Sequence, residues 1–325
     1  MIQLKENIQE LANKYGYLPY MIDRYVQFLG FEETIKLLEA NERPLIPSIR
    51  VNTLKISVKN LKEMLESKGF ILESIDWIPH GFKVTKAPLN LGSLHEYLQG
   101  YFYIQNVASM IPAIILDPKP NETVIDMCSA PGGKATHLAQ LMENEGILVL
   151  IEKYKKRIPS LEMNLRRMGI LNSITINFDA NHLEKTNIKA DKILLDGPCT
   201  GEGLIREDSI RKKSRLITDI QKLATIQKQL LTVGLNSLKD DGKLLYCTCS
   251  IAPEENEIVI DQVLKKFPSF SISKIPVRYG IDGLREVYGK ILRSDLKFSQ
   301  RLYPHIQDTI GFYLCLIEKN ASINC

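Results

Sequence analysis

The apolar positions along this chain change period more than once. Up to about residue 43 they recur at three- and four-residue intervals, in Pro19–Leu29 and again in Glu32–Ala40, with a break at Gly30. That spacing predicts short amphipathic helices. From Ser48 to Thr53 apolar and polar residues alternate, which predicts a strand. Val58–Lys68 returns to helical spacing, with Leu61, Met64 and Leu65 on one face and Gly69 as the stop. Phe70–Ile78 and Phe82–Thr85 read as strands about a turn at Pro79, His80 and Gly81. Residues 1–100 are therefore expected to form a small helical and α+β unit.

From about residue 101 the pattern becomes a long alternation. Helices are expected at Ala108–Leu116, Ala135–Met142, Lys155–Met168, Ile220–Leu238 and Glu254–Phe267. Strands are expected at Thr123–Met127, Ile147–Ile151, Ser173–Asn177, Lys192–Leu195, Leu244–Cys247 and Gly311–Ile317. Strands alternating with helices predict an α/β fold with a parallel, doubly wound sheet over residues 101–325. Ligands of such sheets sit outside the carboxyl ends of the strands, so the residues at those ends come first in the search for chemistry.

Three strand ends carry notable loops. Asp126 to Lys134 ends in Gly132-Gly133-Lys134, where glycines let a backbone approach a ligand closely. No dinucleotide fingerprint and no P-loop is present, which disfavours a pyrophosphate group there. Glu152, Asp179 and Asp196 stand at successive strand ends. One such acid is usually a helix cap. Three in sequence argue for a single ligand with several donors, such as a nucleoside carrying an amine, and S-adenosylmethionine is one. The other two loops carry Cys199, after Asp196-Gly197-Pro198, and Cys247-Thr248-Cys249-Ser250. Thiols at the ends of buried strands beside such a ligand suggest thiolate chemistry; the bland alternative is that they are small buried hydrophobes.

Composition adds little to this. The chain has 325 residues, 44% hydrophobic and 25% charged, with a net charge of +4 that permits an acidic partner without requiring one. Its six cysteines, at 128, 199, 247, 249, 315 and 325, show no disulfide-framework spacing, so a reducing, cytoplasmic setting is expected. Met1 to Asn7 lacks a charged-then-apolar signal pattern, and the apolar run Met110–Leu116 is too short to span a bilayer. Neither a membrane nor a metal is expected, since no Cys or His partners stand at zinc-finger spacing.

Taken together, these motifs resemble the RNA cytosine-5 methyltransferases, the family that includes bacterial rRNA enzymes of the RsmB type and the eukaryotic NOL1/NOP2/Sun proteins. Asp126 to Lys134 looks like the adenosylmethionine loop of that family. Glu152, Arg157, Asn164 and Arg167 fall on its second motif. Asp196 to Gly201 resembles its Asp-x-Pro-Cys-Ser/Thr-Gly motif, and Thr248-Cys249-Ser250 with Glu254 to Glu257 its Thr-Cys-Ser and Glu-Asn-Glu elements. Tyr101 to Ser109, with Gln105, looks like the lead-in helix, and Arg301 to His305 before Gly311-Phe312 resembles the C-terminal element. Ala135 and Glu152 are small departures, where the family often has Thr and Asp.

The resemblance implies a Rossmann-like class I methyltransferase domain behind an N-terminal domain of RNA-recognition-like fold, the latter matched by Ile49 to Lys55. It implies S-adenosylmethionine as cofactor, held by Cys128, Ser129, Ala130, Pro131, Gly132, Gly133, Lys134, Glu152, Arg157, Asp179 and Asp196. It implies Cys249 as nucleophile, Asp196 and Lys134 at the target base, and Cys199 in product release. Without the resemblance Cys247 and Cys249 remain open alternatives, because both could share one strand face. The nearest likeness is to compact archaeal tRNA enzymes, which implies tRNA as substrate, with rRNA as the alternative. Two rivals are a DNA-type enzyme with Cys199 attacking and a catalytically silent RNA-binding assembly factor. The basic run Arg206, Arg211, Lys212, Lys213 and Arg215, and the cluster Lys153, Lys155, Lys156 and Arg157, are either solvated faces or phosphate contacts. Arg50, Lys55 and Lys59 are further candidates.

Overall fold

The structure, a computed structural model, describes residues 2–320. Cys325 lies outside them. The chain opens with three helices, α1 Ile2–Tyr15, α2 Pro19–Leu29 and α3 Phe31–Asn41. Gly30 separates α2 from α3 at φ +86°, a conformation that suits glycine, and its N–H closes α2 on Val26 O. The apolar faces of these helices bury Ile8, Met21, Ile22, Tyr25, Leu37 and Leu38 together with Ile205, Ile251 and Tyr303 from far along the chain. The helices therefore pack on loops of the second unit.

Next comes a four-stranded antiparallel sheet of β1 Ser48–Val51, β2 Ile71–Ile75, β3 Ile78–Lys86 and β4 Phe102–Ile104, in the order β2-β3-β1-β4. Helix α4, Val58–Ser67, is capped by Ser57, whose hydroxyl accepts from Asn60 N at 3.1 Å, and buries Leu61 and Leu65 on the sheet. A short α5, His95–Leu98, leads into β4.

The turn expected at Pro79, His80 and Gly81 lies instead at Asp76 and Trp77, where Ile75 pairs with Ile78. Pro79 is exposed near the start of β3, where a missing N–H is tolerated. Gly81 serves close packing rather than turning: a Cβ there would lie 2.8 Å from Ile78 Cγ2. Because β4 reaches Ile104, we propose to place the division between the units after it, a little beyond the expected residue 100.

The second unit runs α6 Val107–Leu116, β5 Thr123–Asp126, α7 Gly133–Leu141, β6 Ile147–Glu152, α8 Ile158–Met168, β7 Ser173–Asn177 and β8 Ala190–Asp196. It continues with α9 Arg211–Ser214, α10 Ile217–Asn236, β9 Leu238–Thr248, α11 Glu257–Leu264, β10 Phe270–Ile272 and β11 Ile281–Asp282. A small hairpin, β12 Glu286–Val287 and β13 Lys290–Ile291, precedes β14 Gln300–Leu302, α12 Pro304–Gln307 and β15 Phe312–Lys319.

The sheet order is β7-β6-β5-β8-β9-β15-β14-β11, parallel from β7 to β9. The final strand departs from the expected all-parallel sheet. β15 runs antiparallel to both β9 and β14, because the short connection from β14 cannot make a parallel crossover. Apolar clusters on the two sheet faces, one around α6 and α7 and the other around α10 and α11, form the core.

The helix expected from Glu254 starts at Glu257, since Asn256 takes φ −121° and ψ −101°. Glu254, Glu255 and Asn256 therefore precede the helix, and their side chains accept from Arg24 of α2, from Thr200 and from Thr248 at the end of β9.

Candidate active site

The first strand end is a loop clamped on all sides. Asp126, at the end of β5, accepts from Cys128 N at 3.1 Å, and burial pushes its carboxyl up to about 7. Ser129 donates through both N and Oγ to Ile151 O, each at 3.0 Å. From α8, Asn164 Nδ2 donates to Pro131 O at 2.9 Å, and Arg157 donates to Ala130 O. Gly132, at φ +106°, brings the chain so close to Leu161 that a Cβ would stand 3.1 Å from its Cδ1. Arg167 does not reach the loop. It donates to Tyr97 O and Phe102 O and lies 4.1 Å from the Tyr97 ring centroid, tying α8 to the N-terminal unit.

Arg50 does the same from β1. It is fully buried and donates to Gln105 Oε1, to Gly133 O at 2.6 Å and to Thr136 Oγ1 at 2.8 Å, while burial pulls its pKa down to about 9. Lys55 is spent on carbonyls, donating to Gln99 O at 2.9 Å and Arg167 O at 2.7 Å. Arg50 and Lys55 are thus internal ties and not free cations for phosphate, which corrects the expectation from sequence.

Glu152, at the end of β6, is 2% exposed. Its Oε1 accepts from Tyr154 N at 2.8 Å; its Oε2 lies 3.2 Å from Arg157 Nη1 yet has no hydrogen-bond partner. Asp179 accepts from Asn181 N at 3.0 Å and pairs with Lys153 at 2.9 Å, and these contacts outweigh burial to hold its carboxyl low.

Cys128, Ala130, Glu152, Arg157, Asp179, Asp196, Cys199 and Cys249 line one cavity of about 340 Å³. Ser129, Pro131, Gly133 and Lys134 line an adjoining one of about 260 Å³, which shares Cys128, Ala130 and Asp196 with the first and adds Gln105, Asn106 and Glu207. Gly132 faces neither and packs on α8. A larger groove, about 980 Å³, touches Asp179 but lies between α10 and α11 and contains none of the cysteines.

The thiols meet where these cavities join the ends of β8 and β9. Cys199 Sγ and Cys249 Sγ are 3.1 Å apart. Cys249's hydrogen bond and burial together push the Cys199 thiol well up. Cys247, still within β9 and opposite Asp196 in the register, is fully buried and turned to Asp196 Oδ1 at 3.6 Å. Strand β9 stops at Thr248, and Cys249 leaves it toward the cavity. Cys315 is buried within β15. Lys134 Nζ donates to Asp196 Oδ2 at 2.7 Å and lies 5.5 Å from the Phe312 ring centroid. Burial disfavours its charge, but Asp196 outweighs burial and holds the ammonium protonated.

Residues to which the sequence assigned no role hold the thiol loops. Glu255 is fully buried and accepts from Thr200 and Ser250, the residues after Cys199 and Cys249. Arg24 of α2 bridges Glu202 at 2.7 Å and Glu254 at 2.7 Å. Arg301 and Glu257 form a buried pair at 2.5 Å. The acidic run was visible in the sequence, but the partner of each acid was not.

Two family models match the chain. One described as 16S rRNA methyltransferase RsmB/F matches residues 113–318, and one for the N-terminal domain of 16S rRNA methyltransferase RsmF matches residues 18–107. The chain belongs to the RsmB/F methyltransferase family. It is 34% identical over 96% of its length to the 25S rRNA (cytosine-C(5))-methyltransferase nop2 of Schizosaccharomyces pombe, covering 52% of that protein. It is 36% identical over 97% of its length to the tRNA (cytosine(49)-C(5))-methyltransferase of Pyrococcus abyssi, covering 98% of it. Except for such compact proteins, it spans about half or less of the length of the curated relatives it matches first.

Among solved structures, a methyltransferase homologue from Pyrococcus horikoshii superposes with a TM-score of 0.88 at 40% identity, covering 96% of this chain and 99% of that one. NSun6 from Pyrococcus horikoshii, solved with SFG, gives 0.81 at 27%, covering 92% and 97%. The fold is that of the class I S-adenosylmethionine-dependent methyltransferases.

In this RsmB/F-family chain the basic run after the Cys199 loop is largely internal. Arg206 donates to Arg43 O and Pro44 O and pairs with Asp308 at 2.7 Å. Arg211 and Arg215 both donate to Thr200 O, at 3.0 and 3.1 Å. Lys212 is buried against Tyr15 O and Glu42. Only Lys213 of the run is exposed, as are Lys155 and Lys156 beyond β6. Among the described residues no helix is long and apolar enough to cross a membrane, and no three His, Cys, Asp or Glu side chains come together as metal ligands would.

Proposed function

We propose that this chain transfers a methyl group from S-adenosylmethionine to carbon 5 of cytosine in RNA, with tRNA preferred. The observation that carries the reading is the contact of Cys199 and Cys249, 3.1 Å apart, at a cavity that also holds Asp196 and Glu152. A nucleoside donor fits the cleft. Glu152 Oε2 is a buried acceptor lacking the hydrogen bonds that ribose hydroxyls would supply, and Asp179 and Asp196, which line the same cleft, suit a cationic sulfonium with an ammonium group. The loop Cys128 to Lys134 would hold that donor, with Arg157 behind Glu152. The donor supplies the electrophilic methyl group.

The chain's own residues supply the rest. Carbon 5 of cytosine is a weak nucleophile until a thiolate adds to carbon 6. In this reading Cys249, having given up its proton, bonds through Sγ to carbon 6 of an unpaired cytosine, and the ring's electron pair moves to carbon 5, which would take the methyl as its bond to the donor's sulfur breaks and a neutral thioether leaves. Asp196 accepts from the exocyclic amine and from the proton that nitrogen 3 takes up as charge builds on the ring, with Lys134 fixed beside it. A base then removes the hydrogen from carbon 5, the bond from sulfur to carbon 6 breaks, and the thiolate leaves. Cys199, protonated and touching Cys249, acts at that release. Two free thiols in contact suit a reducing, cytoplasmic setting. Preference for tRNA is supported by the Pyrococcus abyssi relative, matched almost end to end. Ribosomal RNA is the second reading, supported by family models described for 16S rRNA enzymes over both units.

Incubation with radiolabelled methyl donor and transcribed tRNA or rRNA fragments tests this on denaturing gels. Cys249→Ala is expected to abolish both methylation and adduct. Cys199→Ala is expected to accumulate a methylated RNA–protein adduct, and Cys247→Ala to turn over. An adduct with Cys249→Ala that is absent with Cys199→Ala would reverse the two roles. A wild-type protein that methylates no RNA cytosine would sink the reading.

A further inference from the structure

The register of β8 with β9 ends at the pair Asp196 and Cys247, with one more bond from Gly197 N to Cys247 O at 3.1 Å. Beyond it the sheet no longer fixes either cysteine, yet the two sulfurs touch. What spans the gap is a carboxylate. Glu255 Oε1 accepts from Thr200 N at 2.9 Å and Gln227 Nε2 at 3.2 Å; its Oε2 accepts from Thr200 Oγ1 and Ser250 Oγ, each at 2.5 Å. Thr200 follows Cys199 and Ser250 follows Cys249. The neighbouring Asn256 accepts from Thr248 Oγ1 at 2.6 Å and donates to Ser250 O at 2.8 Å, so Cys249 is held from both sides. A backbone bond from Gly203 N to Cys249 O at 2.9 Å and a long contact of 3.4 Å between Thr200 Oγ1 and Ser250 Oγ also link the loops. Four donors converge on two oxygens, and the N–H donors cannot accept, so the site is matched to an acceptor-only carboxylate. Glu255 lines neither cavity of the site.

We infer that Glu255 is a positioning residue that sets the distance between the two thiols by clamping the residue after each. The inference deepens the methyl-transfer reading and rests on it only where turnover is measured. Removing the carboxylate frees the residues that directly follow the two thiols, and leaves the loops joined farther along by Arg24, which bridges Glu202 and Glu254. The thiols then sample separations too wide for one to act on the other's adduct, while the donor cleft stays intact.

The test has a readout independent of methylation. Phenylarsine oxide condenses with two adjacent thiols, forming two arsenic–sulfur bonds and releasing water, with no change of oxidation state. Wild-type protein is expected to bind one equivalent in a manner abolished by Cys199→Ser. Glu255→Ala is expected to weaken that capture by about tenfold or more, since the second bond depends on the effective concentration of the partner thiol. It is also expected to lower kcat by about a hundredfold with KM for the donor unchanged, as a misplaced reacting group does.

Glu255→Gln keeps the shape and one acceptor, and the two hydroxyls can rotate to suit it; it is expected to restore most of both. Should Glu255→Ala fail to fold, Thr200→Val and Ser250→Ala each remove a single hydroxyl donor and are expected to lower both readouts severalfold. Wild-type capture in folded Glu255→Ala, or in both milder variants, overturns the inference. Weakened capture in a protein whose wild type methylates nothing leaves the clamp standing and sinks only the functional reading.

Discussion

At the residue scale the site turns on where a strand stops. Cys247 and Cys249 are two apart, and a strand running through both would face them the same way. Because β9 ends at Thr248, one thiol sits beneath Asp196 and the other meets Cys199. Alternation alone could not decide this, since the end of a strand is set by partners across the sheet. The strand-end acids were legible because strand ends in a parallel sheet are where ligands bind. Glu152 is the most demanding of them: a buried carboxylate with one oxygen that accepts no hydrogen bond. Glu152→Ala is expected to weaken S-adenosylmethionine binding by about 1–3 kcal/mol, the cost of leaving buried donors of the ligand unpaired. Calorimetry on the folded variant checks this, and unchanged affinity would remove Glu152 from the site.

At the element scale the long helices and the parallel strands follow the apolar period closely. What escaped are pieces too short to have a period, such as β4, β10 and β11 to β14, and boundaries set by single residues. Pro79 and Gly81 look like a turn in sequence and lie within β3; Glu254 looks like a helix start and precedes it. The contact of β3 with α7 carries a pair that no local pattern announces. His80 Nε2 and His137 Nε2 are 2.6 Å apart and buried. Burial, then Arg50, pulls His80 down to about 4, and the same causes lower His137 as well. Both are depressed below the ordinary histidine value near 6.5. The pair therefore contributes stability above about pH 6.5 that is lost as pH falls through about 4, where the folded pair must also take up protons. Urea unfolding at about pH 7.5 and about pH 5 should show wild type losing about 1–3 kcal/mol more than His80→Gln/His137→Gln. Equal losses would mean the pair does not titrate this way.

At the scale of the whole molecule, three parts of the chain converge on the site. The helices α1 to α3 bury Ile205 and Ile251 beside them, the four-stranded sheet sends Arg50 to α7, and β15 lines up along β9. This convergence explains why the basic run was misleading. Charge is visible in sequence, but the carbonyls and carboxylates that consume it come from elsewhere. Lys212→Gln is expected to lower the melting temperature, because it strips Glu42 and Tyr15 O of their partner, and to leave the salt dependence of RNA binding unchanged. Lys155→Gln/Lys156→Gln is expected to do the reverse, flattening the slope by about one counterion per lost contact. Filter binding across a salt series separates the two, and a flattened slope for Lys212→Gln would return it to the RNA surface. The insertion of β15 between β9 and β14 has a consequence for biosynthesis. The strand that leads to Cys249 gains its second neighbour from a segment some seventy residues later in sequence. While the ribosome is still adding those residues, β9 presents an open edge of the kind that pairs with foreign strands. The nascent chain carries Cys249 one residue beyond that edge, and the edge closes only when Phe312–Lys319 threads into place.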